Sequence, residues 1–289
     1  MLKVNGRTKI VGLMGHPVSH SVSPEMHNAA FEALNINFCY IPIPVESEDL
    51  KKALDGIRAL KIVGVNVTIP HKEAIIPLLD EVTKLPRLMG AVNTILNQDG
   101  KLIGYNTDGP GFVDSLKSDA KVDPKGKKVV VLGAGGASKA VSIMLAEAGA
   151  RSLVITDIII EKAENLAEYV KSHFEIESTV CPVESRDLQS SINECNILVN
   201  TTPVGMHPKV EASPLPDGIK IPSGIQVCDL IYNPPETKFL KIARESGAKT
   251  LNGIGMLVRQ GALSFSIFTG KDAPVDIMKK AALEALNLI

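Results

Sequence analysis

The feature that most constrains the fold of this chain is an apolar strand that runs into a glycine-rich turn and then a helix. Residues 129–132 are all apolar, and Gly133, Gly135 and Gly136 follow. Gly133 permits a tight turn, Gly135 has no side chain to block a pyrophosphate, and the N-terminus of the next helix attracts phosphate charge. This order predicts a Rossmann-type dinucleotide-binding unit, although Ser138 occupies the third glycine position of G-x-G-x-x-G. A glycine turn that merely reverses the chain is the alternative.

Strand and helix signals alternate along most of the chain, which favours an α/β fold with mainly parallel sheets. We read two α/β domains, with a boundary near residues 106–107. The predicted strands are residues 9–14, 38–43, 62–67, 128–132, 152–156, 178–182, 197–201 and 226–231, with a hairpin of 92–97 and 101–104 around Asp99-Gly100. The predicted helices are one that opens at Ser23-Pro24, residues 48–60, 71–79, 108–116, 137–148, 161–173, 238–246, 255–269 and 275–288.

The composition makes several classes of function improbable. The 289 residues carry a formal net charge of −1 with a pI near 6.6, so there is no basic excess to neutralise nucleic-acid phosphates. No two of the four cysteines are spaced as a C-x-x-C site, which favours reduced thiols in a cytoplasmic protein. We find neither a signal peptide nor a run of about 20 apolar residues that would span a bilayer, so no membrane partner is expected.

A single carboxylate follows the strand predicted over residues 152–156. Asp157 lies at the distance from the glycine turn at which Rossmann units place an acid. Such a carboxylate accepts hydrogen bonds from both ribose hydroxyls and repels a 2′-phosphate, so it favours NAD(H) over NADP(H). Three isoleucines come next, which leaves Lys162 as the nearest cation. The alternative is that Asp157 only caps the next helix or lies in a solvated turn.

A second group of polar residues follows the apolar strand predicted over residues 62–67. Pro70 cannot donate to a ladder, so the strand ends there and presents Thr68, His71 and Lys72 at its carboxyl end, where α/β folds place their ligands. Lys72 at the start of a helix opposes the preference of a helix N-terminus for anions. It is a candidate proton-transferring group, and a solvated surface lysine is the alternative.

Asp108, in the polar segment that follows Tyr105, is the candidate partner of Lys72. A carboxylate orients an ammonium group, and a partly buried lysine can exchange a proton with a substrate oxygen. Asn93 and Gln260 add neutral hydrogen-bonding groups suited to hydroxyls. The alternatives are that Asp108 only caps the helix after it, and that Asn93 and Gln260 only satisfy buried backbone groups.

Two serines in the loop beyond the first strand are candidates for binding a carboxylate. Ser21 and Ser23 alternate along the chain and could point the same way. Ser23 is also a plausible N-cap for the helix that begins at Pro24, and Ser21 could be an ordinary loop residue. A metal site is not expected, because the prolines beside the nearby histidines, His16, His20 and His27, break the helix that would align them.

Together these residues resemble the shikimate dehydrogenase family, which includes the quinate/shikimate dehydrogenases. The similarity extends over almost the whole chain, and its segments occur in register. They are Gly15-His-Pro-Val-Ser-His-Ser-Val-Ser-Pro24, Asn66-Val-Thr-Ile-Pro-His-Lys72, Gly90-Ala-Val-Asn-Thr94, Asn106-Thr-Asp108, Gly133-Ala-Gly-Gly-Ala137, Asn200-Thr-Thr-Pro-Val-Gly-Met206, Asp229-Leu-Ile-Tyr232 and Gly255-Met-Leu-Val-Arg-Gln260.

The resemblance implies a substrate domain of residues 1–106 completed by 253–289, and a Rossmann domain of residues 107–252. It implies that Lys72 is the acid/base group with Asp108 as its partner. It further implies that Ser21 and Ser23 hold the substrate carboxylate, that Thr68, Asn93 and Gln260 contact ring hydroxyls, and that Tyr232 lies near the substrate. The predicted cofactor-binding residues are Gly133, Ala134, Gly135, Gly136, Ala137, Asp157, Thr202, Met206 and Gly253.

The implied activity is the reversible NAD(P)H-dependent reduction of 3-dehydroshikimate to shikimate, a step of chorismate and aromatic amino acid biosynthesis, and the resemblance implies NADP(H) as the cofactor. Most members of the family resemble one another in an Asn-Arg-Thr-type segment that accepts the NADP phosphate, whereas this chain has Asp157-Ile158-Ile159. We therefore expect NAD(H) to be used at least as well as NADP(H). A quinate/shikimate dehydrogenase that prefers NAD(H), and a sensor that binds a dinucleotide without catalysis, are the alternatives. A monomer or homodimer is expected.

Overall fold

The computed structural model describes residues 4–289, which form two compact units, each built around its own six-stranded sheet. The first unit comprises the chain up to Gly111 together with Val258–Ile289, and the second is Phe112–Leu257. The predicted α/β class is confirmed. The assignment of a substrate domain to residues 1–106 with 253–289, and of a cofactor domain to 107–252, stays a prediction.

The helices and strands alternate along most of the chain. The strands are β1 (Lys9–Gly15), β2 (Phe38–Pro44), β3 (Gly64–Val67), β4 (Glu81–Val82), β5 (Thr94–Gln98), β6 (Lys101–Tyr105), β7 (Lys128–Leu132), β8 (Ser152–Thr156), β9 (Glu177–Val180), β10 (Ile197–Asn200), β11 (Gln226–Asp229) and β12 (Lys249–Leu251). The α-helices are α1 (Ser23–Ala33), α2 (Leu50–Ala59), α3 (His71–Ala74), α4 (Lys84–Met89), α5 (Asp108–Ser118), α6 (Gly136–Glu147), α7 (Ile160–His173), α8 (Arg186–Glu194), α9 (Lys238–Glu245), α10 (Ile254–Thr269) and α11 (Val275–Ala285).

The sheet of the first unit is mixed, in the order β2-β1-β3-β5-β6-β4. Strand β1 pairs in parallel with β2 and β3, and β5 and β6 form the predicted antiparallel hairpin. Asp99 and Gly100 at its turn both have positive φ angles, of 52° and 94°, as a two-residue type I′ turn requires. All four residues of β3 are buried, and its valines pack into the core. This packing fixes the end of β3, from which the polar residues that follow are presented.

The sheet of the second unit is wholly parallel, in the order β12-β11-β10-β7-β8-β9. This is the order of a Rossmann sheet, in which the direction of strand addition reverses between β7 and β10. Ligands of such sheets bind beyond the carboxyl ends of the strands at that reversal. The glycine turn follows β7, and the polar residues Asn200, Thr201 and Thr202 lie at the end of β10 or just after it.

Several predicted boundaries are wrong, and each has a local cause. The helix predicted over 71–79 is the short helix α3 followed by a 3₁₀ turn at Ile76–Leu78, because Pro77 has no N–H to continue an α-helix. The helix predicted over 48–60 is α2 preceded by a 3₁₀ turn at Ser47–Asp49. Four further elements were not predicted, and these are α4, α8, β4 and β12, all of nine residues or fewer.

Within residues 4–289, no helix is both long and apolar enough to cross a membrane. The four cysteines are free thiols, and burial raises the pKa of the Cys195 and Cys228 thiols to about 12.

Candidate active site

Lys72 and Asp108 form an ion pair at the carboxyl end of β3. The Lys72 Nζ lies 2.8 Å from Asp108 Oδ2, and the two side chains are 32% and 19% exposed. Lys72 lies in α3, directly after the turn that ends β3, and Asp108 is the first residue of α5. The predicted contact is therefore present, and the ammonium is neither fully solvated nor sealed from a ligand. Whether the pair carries the chemistry stays a prediction.

Asn93 fixes the orientation of the Asp108 carboxylate. The backbone N–H of Thr107 donates to Asn93 Oδ1 at 2.7 Å, and Asn93 Nδ2 donates to Asp108 Oδ1 at 2.9 Å. Because a backbone N–H can only donate, the amide oxygen must face Thr107, and the NH₂ group must face Asp108. Both carboxylate oxygens of Asp108 therefore accept a hydrogen bond, one from Asn93 and one from Lys72. This arrangement suits an ionised carboxylate beside an ammonium group.

The helix that begins at Asp108 is capped by Asn106, which the sequence reading missed. Asn106 Oδ1 accepts hydrogen bonds from the backbone N–H groups of Asp108 and Gly109, at 3.0 and 3.3 Å. The alternative that Asp108 itself is only a cap is therefore wrong. By sequence Asn106 and Asp108 are equal candidates for this cap, because Asn and Asp cap helices about equally well.

Lys72 is also anchored through its own backbone and through its neighbour. The ring Nε2 of buried His71 lies 2.8 Å from the carbonyl oxygen of Val45, and the carbonyl of Lys72 accepts the N–H of Val92 at 2.8 Å. These contacts tie the first turn of α3 to two other segments of the first unit. The direction in which the lysine side chain leaves the backbone is thus fixed by the fold.

The two serines of the loop after β1 lie together. Ser21 Oγ donates to Ser23 Oγ at 3.2 Å, and the backbone N–H of Ser23 contacts Ser21 Oγ at the same distance. Ser23 is the first residue of α1 and is buried, whereas Val22 occupies the capping position and makes no side-chain cap. The N-cap role considered for Ser23 is therefore wrong. The two adjacent hydroxyls remain candidates for a carboxylate.

The other predicted substrate residues are divided between the two units. Gln260 lies on α10 in the first unit, and its Oε1 is 3.4 Å from Asn93 Nδ2. Thr68 follows β3, and its backbone N–H donates to Met14 at 2.9 Å. Tyr232 belongs to the second unit, and burial raises its pKa. Lys72, Asp108, Asn93 and Gln260 are thus brought together by the structure.

The glycine turn after β7 has the geometry of a phosphate-binding turn. Gly133 has a φ angle of 102°, which a residue with a side chain rarely adopts, and a Cβ on Gly135 would project into open space. Helix α6 begins at Gly136, so the first N–H groups of that helix face the same opening without partners in the helix. Ser138, at the third glycine position, donates from its buried hydroxyl to the carbonyl of Gly133. These features fit the pyrophosphate of a dinucleotide.

Asp157 holds the glycine turn from the neighbouring strand. Its Oδ2 accepts the N–H of Ala134 at 2.7 Å, and its Oδ1 accepts the N–H of Ile159 at 2.9 Å. The capping position of α7 is Ile159, so the alternative that Asp157 caps that helix is wrong. Ile158 is 89% exposed, and this apolar side chain follows the carboxylate directly. The two residues that follow Asp157, Ile158 and Ile159, thus carry no positive charge.

The remaining predicted cofactor residues have different surroundings. Thr202 binds Asn200 Oδ1 through its N–H at 3.0 Å and its hydroxyl at 2.7 Å, and it lies against Gly133. Met206 is 46% exposed. Gly253 lies so close to Leu230 that a Cβ would overlap its carbonyl group, which is a packing reason for glycine there. A cofactor role for Gly253 stays a prediction.

No group of three or more potential metal ligands occurs among the histidines, cysteines and carboxylates of residues 4–289. His16 instead pairs with Glu46 at 3.3 Å. His27 is buried against the ring of Tyr40, at a centroid distance of 4.3 Å, and burial lowers its pKa to about 3. His27 is therefore a neutral core residue.

Asp229 is a second carboxylate with a distinctive environment, at the end of β11. Its oxygens accept hydrogen bonds from the side chains of Asn200 at 3.0 Å and Thr237 at 2.7 Å, and from the N–H of Ile231 at 3.1 Å. Burial raises its pKa to about 6 even though these hydrogen bonds act in the opposite direction. In the folded protein the neutral form is therefore favoured up to a higher pH than in the unfolded chain.

We predict that Asp229 makes folding less favourable as the pH rises. Between the pKa of Asp229 in the unfolded chain, about 4, and its higher pKa in the folded protein, the native state binds more protons than the unfolded state. As the pH rises through this window, the free energy of unfolding therefore falls by an amount on the order of 3 kcal/mol. Above the folded pKa the loss is complete. Urea denaturation of wild type and Asp229→Asn at the two ends of this pH window measures the change in the free energy of unfolding. The variant should gain in stability relative to wild type as the pH rises; an unchanged difference would contradict the prediction.

Comparison with known proteins adds a family relationship to this geometry. The chain matches the shikimate dehydrogenase substrate binding domain over residues 13–95, the shikimate/quinate 5-dehydrogenase domain over 116–220, and the shikimate 5′-dehydrogenase C-terminal domain over 253–283. It is 46% identical to a shikimate dehydrogenase (NADP⁺) of Desulforamulus reducens over 278 residues, which are 96% of this chain and 95% of the relative.

Two solved structures are similar over nearly their whole length. One is a shikimate dehydrogenase in complex with NADP⁺, at 42% identity and a TM-score of 0.90, with 98% of this chain and 97% of that chain covered. The other is shikimate 5-dehydrogenase from Listeria monocytogenes in complex with shikimate and NAD, at 37% identity and a TM-score of 0.92, with 97% and 98% covered.

Proposed function

Because the chain belongs to the shikimate dehydrogenase family, we propose that it catalyses the reversible, NAD(P)H-dependent reduction of 3-dehydroshikimate to shikimate. The observation that carries the proposal is the contact between Lys72 and Asp108, with Asn93 bound to the other carboxylate oxygen. This arrangement supplies a held ammonium group with protons to donate and a partly exposed position from which to donate them. A sensor that only binds a dinucleotide would not need it.

In the proposed reaction Lys72 is the acid that protonates the C3 oxygen. A bound NAD(P)H supplies the hydride chemistry at the C3 carbon. The Lys72 Nζ gives a proton to the oxygen as it gains negative charge, and in the reverse direction the neutral amine takes that proton back. Asp108 accepts a hydrogen bond at each carboxylate oxygen, one from Asn93 and one from Lys72, and so holds the Lys72 side chain in place.

The other residues of the first unit bind and orient the substrate. Ser21 and Ser23 present adjacent hydroxyl groups that can donate to the substrate carboxylate. Asn93, Thr68 and Gln260 provide neutral donors and acceptors for the ring hydroxyls, and Gln260 already lies within 3.4 Å of Asn93. A contact of Tyr232, a residue of the second unit, with the substrate stays a prediction. Each of these roles is part of the proposal.

The second unit would hold the dinucleotide. The open space above Gly135 and the first N–H groups of α6 suit the pyrophosphate, and Ala134 and Ala137 complete the turn. Asp157 would accept the ribose hydroxyls while it holds the turn through Ala134. Thr202 and Met206, beyond β10, would border the nicotinamide.

We predict that NADH supports kcat/KM values at least equal to those with NADPH. Asp157 repels a 2′-phosphate, and the exposed Ile158 contributes no charge to attract one. Relatives with both cofactors are known: one similar structure holds NADP⁺ and another holds NAD. Steady-state kinetics with NADH and with NADPH, each at saturating substrate, gives the two kcat/KM values to be compared. A strong preference for NADPH would contradict the role given to Asp157.

The double variant Asp157→Asn/Ile158→Arg is the matched test of this prediction. It removes the repelling charge and adds a guanidinium suited to phosphate, so the ratio of kcat/KM for NADPH over NADH should rise by about 10-fold or more. Lys162→Ala, in the same segment, is the control and should leave the ratio unchanged within about twofold, because the proposal assigns the selection to Asp157 and Ile158. A double variant with the wild-type ratio would show that the segment does not select the cofactor.

The proposed reaction itself is tested by the turnover of shikimate with NAD⁺ and NADP⁺, followed by the absorbance of the reduced nicotinamide. Turnover with either cofactor supports the proposal. A folded protein that binds a dinucleotide but does not turn over shikimate would contradict it and would favour a sensor.

A further inference from the structure

Ser264 is a buried hydroxyl at the centre of a hydrogen-bond network behind the Lys72–Asp108 pair. It lies on α10, one helical turn after Gln260, and is fully buried. Its Oγ lies 2.8 Å from Asn66 Nδ2, 2.8 Å from Thr94 Oγ1 and 3.1 Å from Thr107 Oγ1. We call this serine with Asn66, Thr94 and Thr107 the Ser264 network. It joins a C-terminal helix to β3, to β5 and to the segment before α5.

The Ser264 network holds Asn93 from two sides. Thr94 Oγ1 donates to Asn93 Oδ1 at 3.1 Å, and Asn93 Nδ2 donates to Thr107 Oγ1 at 2.8 Å. The same Nδ2 donates to Asp108 Oδ1, and Asp108 binds Lys72. Ser264 thus lies two hydrogen bonds away from the amide that orients the catalytic carboxylate.

At its other end the network reaches the serine loop through Tyr40. The Tyr40 hydroxyl donates to Asn66 Oδ1 at 2.9 Å. A hydrogen bond with Ser23 lowers the pKa of Tyr40, but burial has the larger effect and raises it. The phenol therefore keeps its proton and can donate it. Asn66 Nδ2 also donates to the backbone carbonyl of Asn93 at 3.2 Å, and a carbonyl can only accept, so the Asn66 NH₂ group faces Ser264 and its oxygen faces Tyr40. The direction of every amide in the chain of contacts is therefore determined.

We propose that Ser264 is a positioning residue for proton transfer, acting through Thr107 and Asn93 on the Asp108–Lys72 pair. The inference rests on the proposed function, because it assigns Ser264 to the same reaction. Ser264 does not reach the substrate in this role. Without its hydroxyl, Asn66 and Thr107 lose a buried partner, Asn93 is held less firmly, and the ammonium of Lys72 samples orientations that do not lead to proton transfer.

The test is Ser264→Ala in the wild-type and Lys72→Ala backgrounds, with kcat, shikimate affinity and thermal unfolding measured for each. In the wild-type background kcat should fall by about 10- to 100-fold, while the Kd for shikimate, from calorimetry without cofactor, changes by less than about threefold. In the Lys72→Ala background the same substitution should lower the residual rate by less than about threefold, because the group that Ser264 positions is already gone.

Ser142→Ala is the matched control. Ser142 is also a fully buried helical serine, and its Oγ has no hydrogen-bond partner among the described residues, so its loss should leave kcat within about twofold of wild type. If Ser264→Ala does not melt cooperatively, Thr107→Val removes the hydroxyl between Ser264 and Asn93 at similar volume and should give the same loss of kcat.

Three outcomes overturn the inference. The first is a kcat for the folded Ser264→Ala protein within about twofold of wild type. The second is an equal loss in both backgrounds, which would indicate a general structural effect. The third is a wild-type protein that does not turn over shikimate, which overturns the proposed function and this inference with it.

Discussion

Replacing Lys72 by alanine is expected to lower kcat for shikimate oxidation by roughly 10²–10⁴-fold, with a modest change in KM. The methyl group cannot exchange a proton with the C3 oxygen, and no other lysine contacts Asp108 among the ion pairs found in residues 4–289. The serines and the amides that would bind the carboxylate and the ring hydroxyls remain in place. The loss should therefore fall on the chemical step rather than on substrate binding.

Lys52→Ala is the control for this substitution. Lys52 is 82% exposed and pairs with Asp49 at 2.7 Å, so its removal should leave kcat within about twofold of wild type. Steady-state kinetics of the two variants and the wild type, with circular dichroism to verify folding, provides the comparison. A Lys72→Ala protein with a near-normal kcat would exclude this lysine as the acid/base group.

Replacing Gly253 by alanine is expected to destabilise the protein by about 3 kcal/mol. A Cβ at this position would overlap the carbonyl oxygen of Leu230 and lie 2.6 Å from its carbonyl carbon and 3.0 Å from the carbonyl carbon of Ile231. These are backbone atoms in the segment after β11, so no side-chain rotation can relieve the overlap. The segment before α10 must move instead, and the N–H of Gly253 would lose its bond to Ile231, now 3.0 Å.

Gly56→Ala is the matched control for Gly253→Ala. Gly56 lies inside α2, and a Cβ there would meet nothing within 4 Å, so alanine should stabilise the protein by about 0.5–1 kcal/mol. Urea denaturation of the two variants measures both effects. A Gly253→Ala protein as stable as wild type would show that the backbone can yield at this position.

Ten of the twelve strands and the glycine turn were predictable from local patterns, whereas β4 and β12 were not. Apolar runs and the strand–glycine–helix order identify β3 and β7 without knowledge of the fold, and Asp99-Gly100 identifies the hairpin. Strand order was not predictable in this way, because it depends on which distant segments pair. The antiparallel insertion of β5 next to β3 is an example.

The sequence was sufficient to select the residues of the candidate site. It was not sufficient to show which of them contact one another and which of them cap helices. Lys72 and Asp108 follow separate elements, and only their arrangement shows that they meet. Asn106 and Asp108 could equally cap α5 by sequence, and the structure assigns the cap to Asn106. Ser264 gave no signal at all, because a serine on an apolar helix is indistinguishable from a tolerated core residue until its partners are known.

The proposed mechanism requires that Lys72 exchanges a proton with the C3 oxygen of shikimate while the Asp108 carboxylate and the Asn93 amide hold it in place. The most direct measurement is a kinetic matrix of wild type and Lys72→Ala, with shikimate or quinate as substrate and NAD⁺ or NADP⁺ as cofactor. Wild type should oxidise shikimate, with NAD⁺ at least as effective as NADP⁺, and the loss of Lys72 should nearly abolish the rate with both cofactors. A folded wild-type protein that leaves shikimate unoxidised with both cofactors, or a variant as active as wild type, would contradict it.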